Sequence, residues 1–269
     1  MSRNIIVIGG VALGPKAASR LKRLDPTANV TMIDENINIS FGGCGIPYYV
    51  SGEINSLDAL RSTTYGTVRT PEYFEHKGVH TLNQTRVTAI DRAAKTVTAK
   101  NLVTGEEKAL PYDRLIIATG STPKVPPVEG RDLKNVGGAN NLADAAALRK
   151  ACASGSVQNA VVIGAGFIGM EIAVALADMW DIKTSVVEFM PQAMPGVMSA
   201  SLSDMVRHDL EEHNVDVYTG EKVQRLEGEN GVVARVVTDK RTLDEAELVT
   251  EVSEIMCRPP YWADDDLVI

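Results

Sequence analysis

The sequence has no apolar run near the roughly 18 residues that a membrane-spanning helix needs, so a spanning segment is not expected. It has no cluster of basic residues either. Against 27 Lys and Arg stand 35 Asp and Glu, a formal charge of −8, which makes nucleic acid and anionic membranes poor partners. Cysteine is scarce: Cys44, Cys152 and Cys257 are odd in number and form no CxxC pair, which excludes a disulfide framework. No metal site is expected. The chain enters a strand-like segment by Asn4, which leaves no room for a signal peptide, and a cytoplasmic location is expected. What is present is ordinary for a globular protein: 44% apolar and 23% charged residues in 269, enough for two domains of about 150 residues.

Asn4-Ile5-Ile6-Val7-Ile8 is an uninterrupted β-branched run, as in a strand buried on both faces of a parallel sheet. Gly9-Gly10-Val11-Ala12-Leu13-Gly14 follows, then a helical stretch from Pro15 to about Leu24, then a strand at Asn29–Ile33 ending in Asp34. The same grammar returns 155 positions later. Ala160–Ile163 leads into Gly164-Ala165-Gly166-Phe167-Ile168-Gly169, a helical stretch from Met170 to Trp180, and a strand at Lys183–Val187 ending in Glu188. Between the copies, Arg86 to Asn101 reads as an antiparallel meander turning at Asp91–Ala94, and Leu115–Ala118 as another apolar strand. Ser121 to Gly130, with Pro123, Pro126 and Pro127, reads as an extended linker, followed by a helix over Asn141–Ala151. A further helix (Leu202 to His213) and short strands near Val215–Tyr218 and Val232–Val237 complete the second unit. The predicted class is α/β: two Rossmann-like, three-layer dinucleotide-binding units with a small antiparallel meander between them.

A glycine turn of this kind brings backbone N–H groups and a helix N-terminus against a pyrophosphate. The second copy carries all three glycines, Gly164, Gly166 and Gly169, and Glu188 follows 24 residues after the first. An acid there accepts hydrogen bonds from ribose hydroxyls and repels a 2′-phosphate, favouring NADH over NADPH. The first copy has Gly9, Gly14 and, 25 residues after Gly9, Asp34, but Val11 at the middle position. Two dinucleotides on one chain imply an electron relay, flavin plus nicotinamide.

Cys44 lies in Ser40-Phe41-Gly42-Gly43-Cys44-Gly45-Ile46-Pro47-Tyr48-Tyr49. The glycines allow other groups close to the sulfur, and Pro47 suits the first turn of a helix. A thiol at a helix N-terminus is favoured as the nucleophilic thiolate. The alternative is a small buried cysteine, which is the reading given to Cys152 and Cys257.

These residues resemble the flavoprotein pyridine nucleotide–disulfide oxidoreductases, in the single-cysteine branch of coenzyme A-disulfide and persulfide reductases. The resemblance rests on Gly9–Ala12, Ser40–Tyr49, Tyr112–Gly120 and Gly164–Glu171 in that order, and it runs from about residue 4 to 249. Val11 is a common variation in that branch. The resemblance implies that Gly9, Ala12, Gly14, Asp34, Ala118, Thr119 and Gly120 contact FAD. It implies that Gly164, Gly166, Gly169 and Glu188 contact NADH (or NADPH), with Phe167 and Glu171 near the nicotinamide–flavin junction. Cys44 is implied as the redox-active residue. Ser40 with the basic Lys16, Arg20, Lys22 and Arg23 is expected to meet a disulfide or persulfide substrate, coenzyme A among them, whose phosphates such side chains neutralise. The other reading of those four cations is a solvated helix face. Tyr49 stands where the dithiol members have a second cysteine, so a dithiol mechanism is excluded.

The implied domains are 1–140, the first part of an FAD-binding domain with the cysteine loop, and 141–249, binding NAD(P)H. Over 250–269 the resemblance fails. The second FAD segment and the dimerisation domain of this homodimeric family are expected to be missing, as in a truncated relative. The leading reading is an NAD(P)H:disulfide or persulfide oxidoreductase. The alternatives are an NADH oxidase or peroxidase, whose usual histidine in the first glycine loop is Ala12 here, and a non-catalytic nucleotide-binding fragment.

Overall fold

The first β-branched run forms strand β1 (Asn4–Ile8), and four of its five residues are buried, which requires cover on both faces of the sheet. In the computed structural model, which describes residues 2–121, 123, 127–252 and 267–268, it is followed by α1 (Leu13–Leu24) and β2 (Asn29–Ile33). Three short helices, α2 (Ile46–Ser51), α3 (Leu57–Arg61) and α4 (Pro71–Glu75), precede β3 (Val79–Leu82). A meander of β4 (Thr85–Asp91), β5 (Thr96–Asn101) and β6 (Glu107–Pro111) leads to β7 (Arg114–Ile117) and β8 (Val136–Gly138). Then come α5 (Leu142–Ala153), β9 (Asn159–Ile163), α6 (Phe167–Trp180), β10 (Lys183–Glu188), α7 (Ala200–Glu212) and β11 (Val215–Thr219). The remaining strands are β12 (Val223–Glu229), β13 (Val232–Thr238), β14 (Thr242–Asp244), β15 (Leu248–Glu251) and β16 (Leu267–Val268).

The chain divides into two compact units: residues 2–42, 58–121 and 267–268 form the first, and 43–57, 123 and 127–252 the second. In the first, the parallel sheet runs β16-β7-β1-β2-β3. One face buries Ile5, Val7, Val30, Met32 and Val79 against Ala18 of α1 and Phe74 of α4. The other buries Ile6, Ile8, Ile33 and Leu115 beneath Val97 and Ala99 of the meander. Each such side chain contributes on the order of 1.5–3 kcal/mol of transfer free energy, so both layers are needed to keep this sheet out of water. The second unit repeats the plan. Its sheet runs β11-β10-β9-β15-β8, with Val161, Val187 and Val249 packed under Leu226, Val233 and Val236 of the β12-β13-β14 meander. The fold is α/β with two three-layer dinucleotide-type units, and each carries its own meander where one had been expected between them.

The compact units divide the chain elsewhere than at the expected 140/141 boundary. Residues 43–57 join the second unit because Trp180 Nε1 donates to the Val50 carbonyl (2.8 Å) and Arg149 Nη1 to the Ile54 carbonyl (2.6 Å). Part of the expected linker is also built in: Val128 is buried, and Leu226 N–H donates to the Glu129 carbonyl at 2.8 Å. Pro126, Cys257 and most of the tail from 253 onward lie outside the described residues. No described helix is long and apolar enough to cross a membrane.

Candidate functional sites

The two glycine loops are built alike. Gly9 and Gly164 take φ +111° and +110°, and a Cβ there would lie 2.0 Å from the Ala118 carbonyl oxygen and 2.2 Å from that of Val252. Only glycine meets both demands. Gly14 and Gly169 let each helix press on its loop, since a Cβ would meet the carbonyl oxygen of Gly9 at 1.7 Å and of Gly164 at 2.0 Å. Each acid holds the next residue of its loop: Gly10 N–H donates to Asp34 Oδ2 (2.6 Å) and Ala165 N–H to Glu188 Oε2 (2.8 Å). The second carboxylate oxygen accepts an N–H from two residues on, Asn36 or Met190, at 2.8 Å in each unit. Asp34 and Glu188 are buried, and a carboxylate with four lone-pair positions keeps capacity for further donors.

Helices α1 and α6 start without a side-chain cap, at Ala12 and Gly166, as does the short α2 at Gly45. Helices α4, α5 and α7 are capped by Thr70, Asn141 and Ser199. The glycine-loop helices therefore present first-turn N–H donors that no capping side chain satisfies, the arrangement that receives a phosphate. A Cβ at Gly166 would meet no atom within 4 Å, so the space over the α6 terminus is open. These features fit a dinucleotide on each unit. Phe167 and Glu171 are exposed on the first turns of α6, and Thr119 and Gly120 are exposed just beyond β7.

Cys44 is exposed in a single 3-10 turn, Gly43–Gly45, ahead of α2. That helix has six residues. Its frame is firm, with the Arg149 guanidinium 4.5 Å from the Tyr49 ring centroid and the Trp180 bond to Val50. Cys152 is buried in α5, and burial pushes its thiol up to about 11.

In the first unit a cleft of about 300 Å³ opens beside the glycine loop. Val11, Ala12, Pro15 and Ser19 form one wall, Ser40 to Gly42 another, and Tyr73 and Phe74 a third. Lys16, Arg23, Arg69 and Lys77 line it and no acid does, so four like charges converge where an anion would relieve them. Ser40, Lys16 and Arg23, expected from the sequence at the substrate, line this cleft. Lys22 and Arg20, expected there too, do not line it. Lys22 Nζ donates to the Pro26 and Ala28 carbonyls, both at 2.8 Å, and so ties down the end of α1; Arg20 is exposed outside the cleft. The sequence does not point to Arg69 and Lys77, whose only signal there is a basic residue on each side of the Tyr73-Phe74 pair. Among the described residues no group of three His, Cys, Asp or Glu is placed to hold a metal ion.

A family profile described as pyridine nucleotide-disulphide oxidoreductase matches residues 3–252. An NADH oxidase of Enterococcus faecalis is 31% identical over 94% of this chain and 54% of its own length. An NAD(P)H coenzyme A polysulfide/persulfide reductase of Pyrococcus horikoshii is 33% identical over 89% of this chain and 51% of its own. Among solved structures, an NAD-dependent persulfide reductase from A. fulgidus superposes with a TM-score of 0.89 at 37% identity, covering 94% of this chain and 46% of that one. The chain thus spans about half the length of the relatives it matches.

Proposed function

The chain belongs to the pyridine nucleotide-disulphide oxidoreductase family, and from that premise we propose that it is the dinucleotide-binding part of an NADH-dependent flavoprotein that reduces a disulfide or persulfide of coenzyme A type. The observation that carries the sulfur reading is the cleft with Lys16, Arg23, Arg69 and Lys77 around Ser40. Coenzyme A is a thiol carried on a phosphorylated nucleotide, and such a site suits its phosphates. The persulfide reductases among the relatives support the same choice.

Gly9, Ala12, Gly14, Asp34, Ala118, Thr119 and Gly120 would hold FAD, and Gly164, Gly166, Gly169 and Glu188, with Phe167 and Glu171, would hold NADH. The bound cofactors supply a two-electron path from a nicotinamide hydride to sulfur. The residues of the chain do the rest. Glu188, buried and braced at both oxygens by backbone N–H groups, would accept hydrogen bonds from the ribose hydroxyls and turn away a 2′-phosphate. Cys44, as thiolate, attacks the S–S bond of the substrate, expels one thiolate and keeps the other half as a mixed disulfide; two electrons and a proton then free the second thiol. Exposure of Cys44 in a glycine-flanked turn supports its access to such a substrate.

A second reading, NADH oxidase, is favoured by the 31% identity to the E. faecalis enzyme. One experiment separates the readings: the chain is mixed with FAD, its visible spectrum recorded, and NADH consumption followed with coenzyme A disulfide or oxygen. The expected result is a flavin band with disulfide-dependent turnover that Cys44→Ser abolishes while the band remains. Oxygen consumption without thiol release selects the oxidase. A colourless chain that still binds NADH leaves only a nucleotide-binding fragment.

A further inference from the structure

Past each acid, the chain returns to the glycine loop by the same route in both units, although the two segments share no pattern of side chains. Six residues after the acid stands a non-glycine residue in the left-handed region: Ser40 at φ 54° after Asp34, and Met194 at φ 51° after Glu188. Each donates its N–H to the carbonyl of the loop residue that the acid already holds, Ser40 to Gly10 at 2.7 Å and Met194 to Ala165 at 2.9 Å. Both residues are 5% exposed. Gly10 and Ala165 are therefore gripped twice, at N–H by the acid and at C=O by the left-handed residue. L-residues avoid that region, and no property shared by serine and methionine selects it. Its recurrence at one place in two units indicates that the hydrogen bond imposes it.

Resting on the proposed reading of Glu188 as the acid for NADH, we infer that Met194 is a positioning residue for that dinucleotide, with Ser40 its counterpart for the flavin. The backbone of Met194 closes the segment from Glu188 onto the glycine loop, so that the carboxylate and the open helix terminus keep the spacing one dinucleotide requires. The role belongs to the backbone conformation at 194 and not to the thioether.

The test compares Met194→Gly, which relaxes into the left-handed region but deletes the side chain, with Met194→Val, which keeps bulk but resists that region. NADH affinity is titrated on the 269-residue chain, with thermal unfolding and flavin absorbance as controls. Met194→Gly is expected to unfold earlier yet bind NADH within about twofold of the parent. Met194→Val is expected to lose about tenfold in NADH affinity, the scale of one misfit backbone conformation, with its flavin band unchanged. Met194→Asn, tolerant of the region, follows glycine; should valine unfold the unit, alanine replaces it in the comparison. Weaker NADH binding in the glycine variant than in valine overturns the inference in favour of side-chain packing. So does an unchanged valine variant when Glu188→Ala has lost affinity. Unchanged affinity in Glu188→Ala overturns the reading of the acid itself, and the inference with it.

Discussion

Cys44 and Cys152 differ in environment more than in chemistry. One is exposed in a turn of glycines, and the other is buried in α5 with its thiol pushed up to about 11, so of the two only the first is open to a molecule from solvent. Glycines separate in the same way. Gly164 is held by its own backbone: φ is +110° and an added Cβ would strike the Val252 carbonyl at 2.2 Å. Gly164→Ala is expected to destabilise the second unit by about 2–4 kcal/mol. Gly166 is different, with φ −82° and nothing within 4 Å of a Cβ. Gly166→Ala should leave thermal unfolding nearly unchanged and weaken NADH about tenfold or more, because the methyl would fill the open space proposed for the pyrophosphate. Thermal unfolding and an NADH titration on both variants check this pair. Tight NADH binding by Gly166→Ala would show that the open space is not where the phosphates lie.

At the scale of elements, α6 and α7 are joined by His213, the C-terminal cap of α7, whose Nδ1 lies 3.0 Å from Asp178 Oδ1 on α6. The hydrogen bond and charge of Asp178 raise the imidazole above its ordinary 6.5. A group raised on folding stabilises fully below its unfolded value and loses that contribution as pH rises through the folded value. His213→Gln is therefore expected to lower the unfolding midpoint at about pH 5.5 and not at about pH 8.5. Equal shifts at both would assign the effect to the neutral hydrogen bond. The strand, glycine loop, helix and second strand that open each unit are legible in the sequence, because burial on two faces demands β-branched runs and a pyrophosphate turn demands glycine; the short α3 and α4 and the second meander carry no such pattern. Asp34 and Glu188 are legible for the same reason, each ending a strand at a fixed distance. The return through Ser40 and Met194 is not, since backbone atoms carry it and the side chains are free to differ. Arg69 and Lys77 escape because only the fold brings them to the cleft beside Lys16. Lys22 stays out of the cleft because a long flexible cation beside a helix end finds carbonyls, here those of Pro26 and Ala28.

For the whole molecule, the repeat is longer than the motif that announces it. Beyond the acid, Thr85 N–H donates to the Asp34 carbonyl and Glu221 N–H to that of Glu188, both at 2.9 Å, and a three-stranded meander follows in each unit. Ala118 N–H then donates to the Ile8 carbonyl (2.7 Å) and Val252 N–H to that of Ile163 (2.9 Å), which brings the two carbonyls over Gly9 and Gly164. Each unit thus builds the same supports around its glycine loop, on its own core. Ligand protection should therefore be local. NADH at 100 times its Kd stabilises the state that binds it by about 2.7 kcal/mol, so amides that exchange only when that site opens slow roughly 100-fold. Hydrogen exchange read by mass spectrometry is expected to show this slowing over 163–170 and 188–195 and not over 8–15 and 34–41, with FAD giving the converse. NADH protection centred on the Gly9 loop would reverse the assignment of the two units, because the paired supports at Gly10 and Ala165 leave no third place in the described chain built the same way.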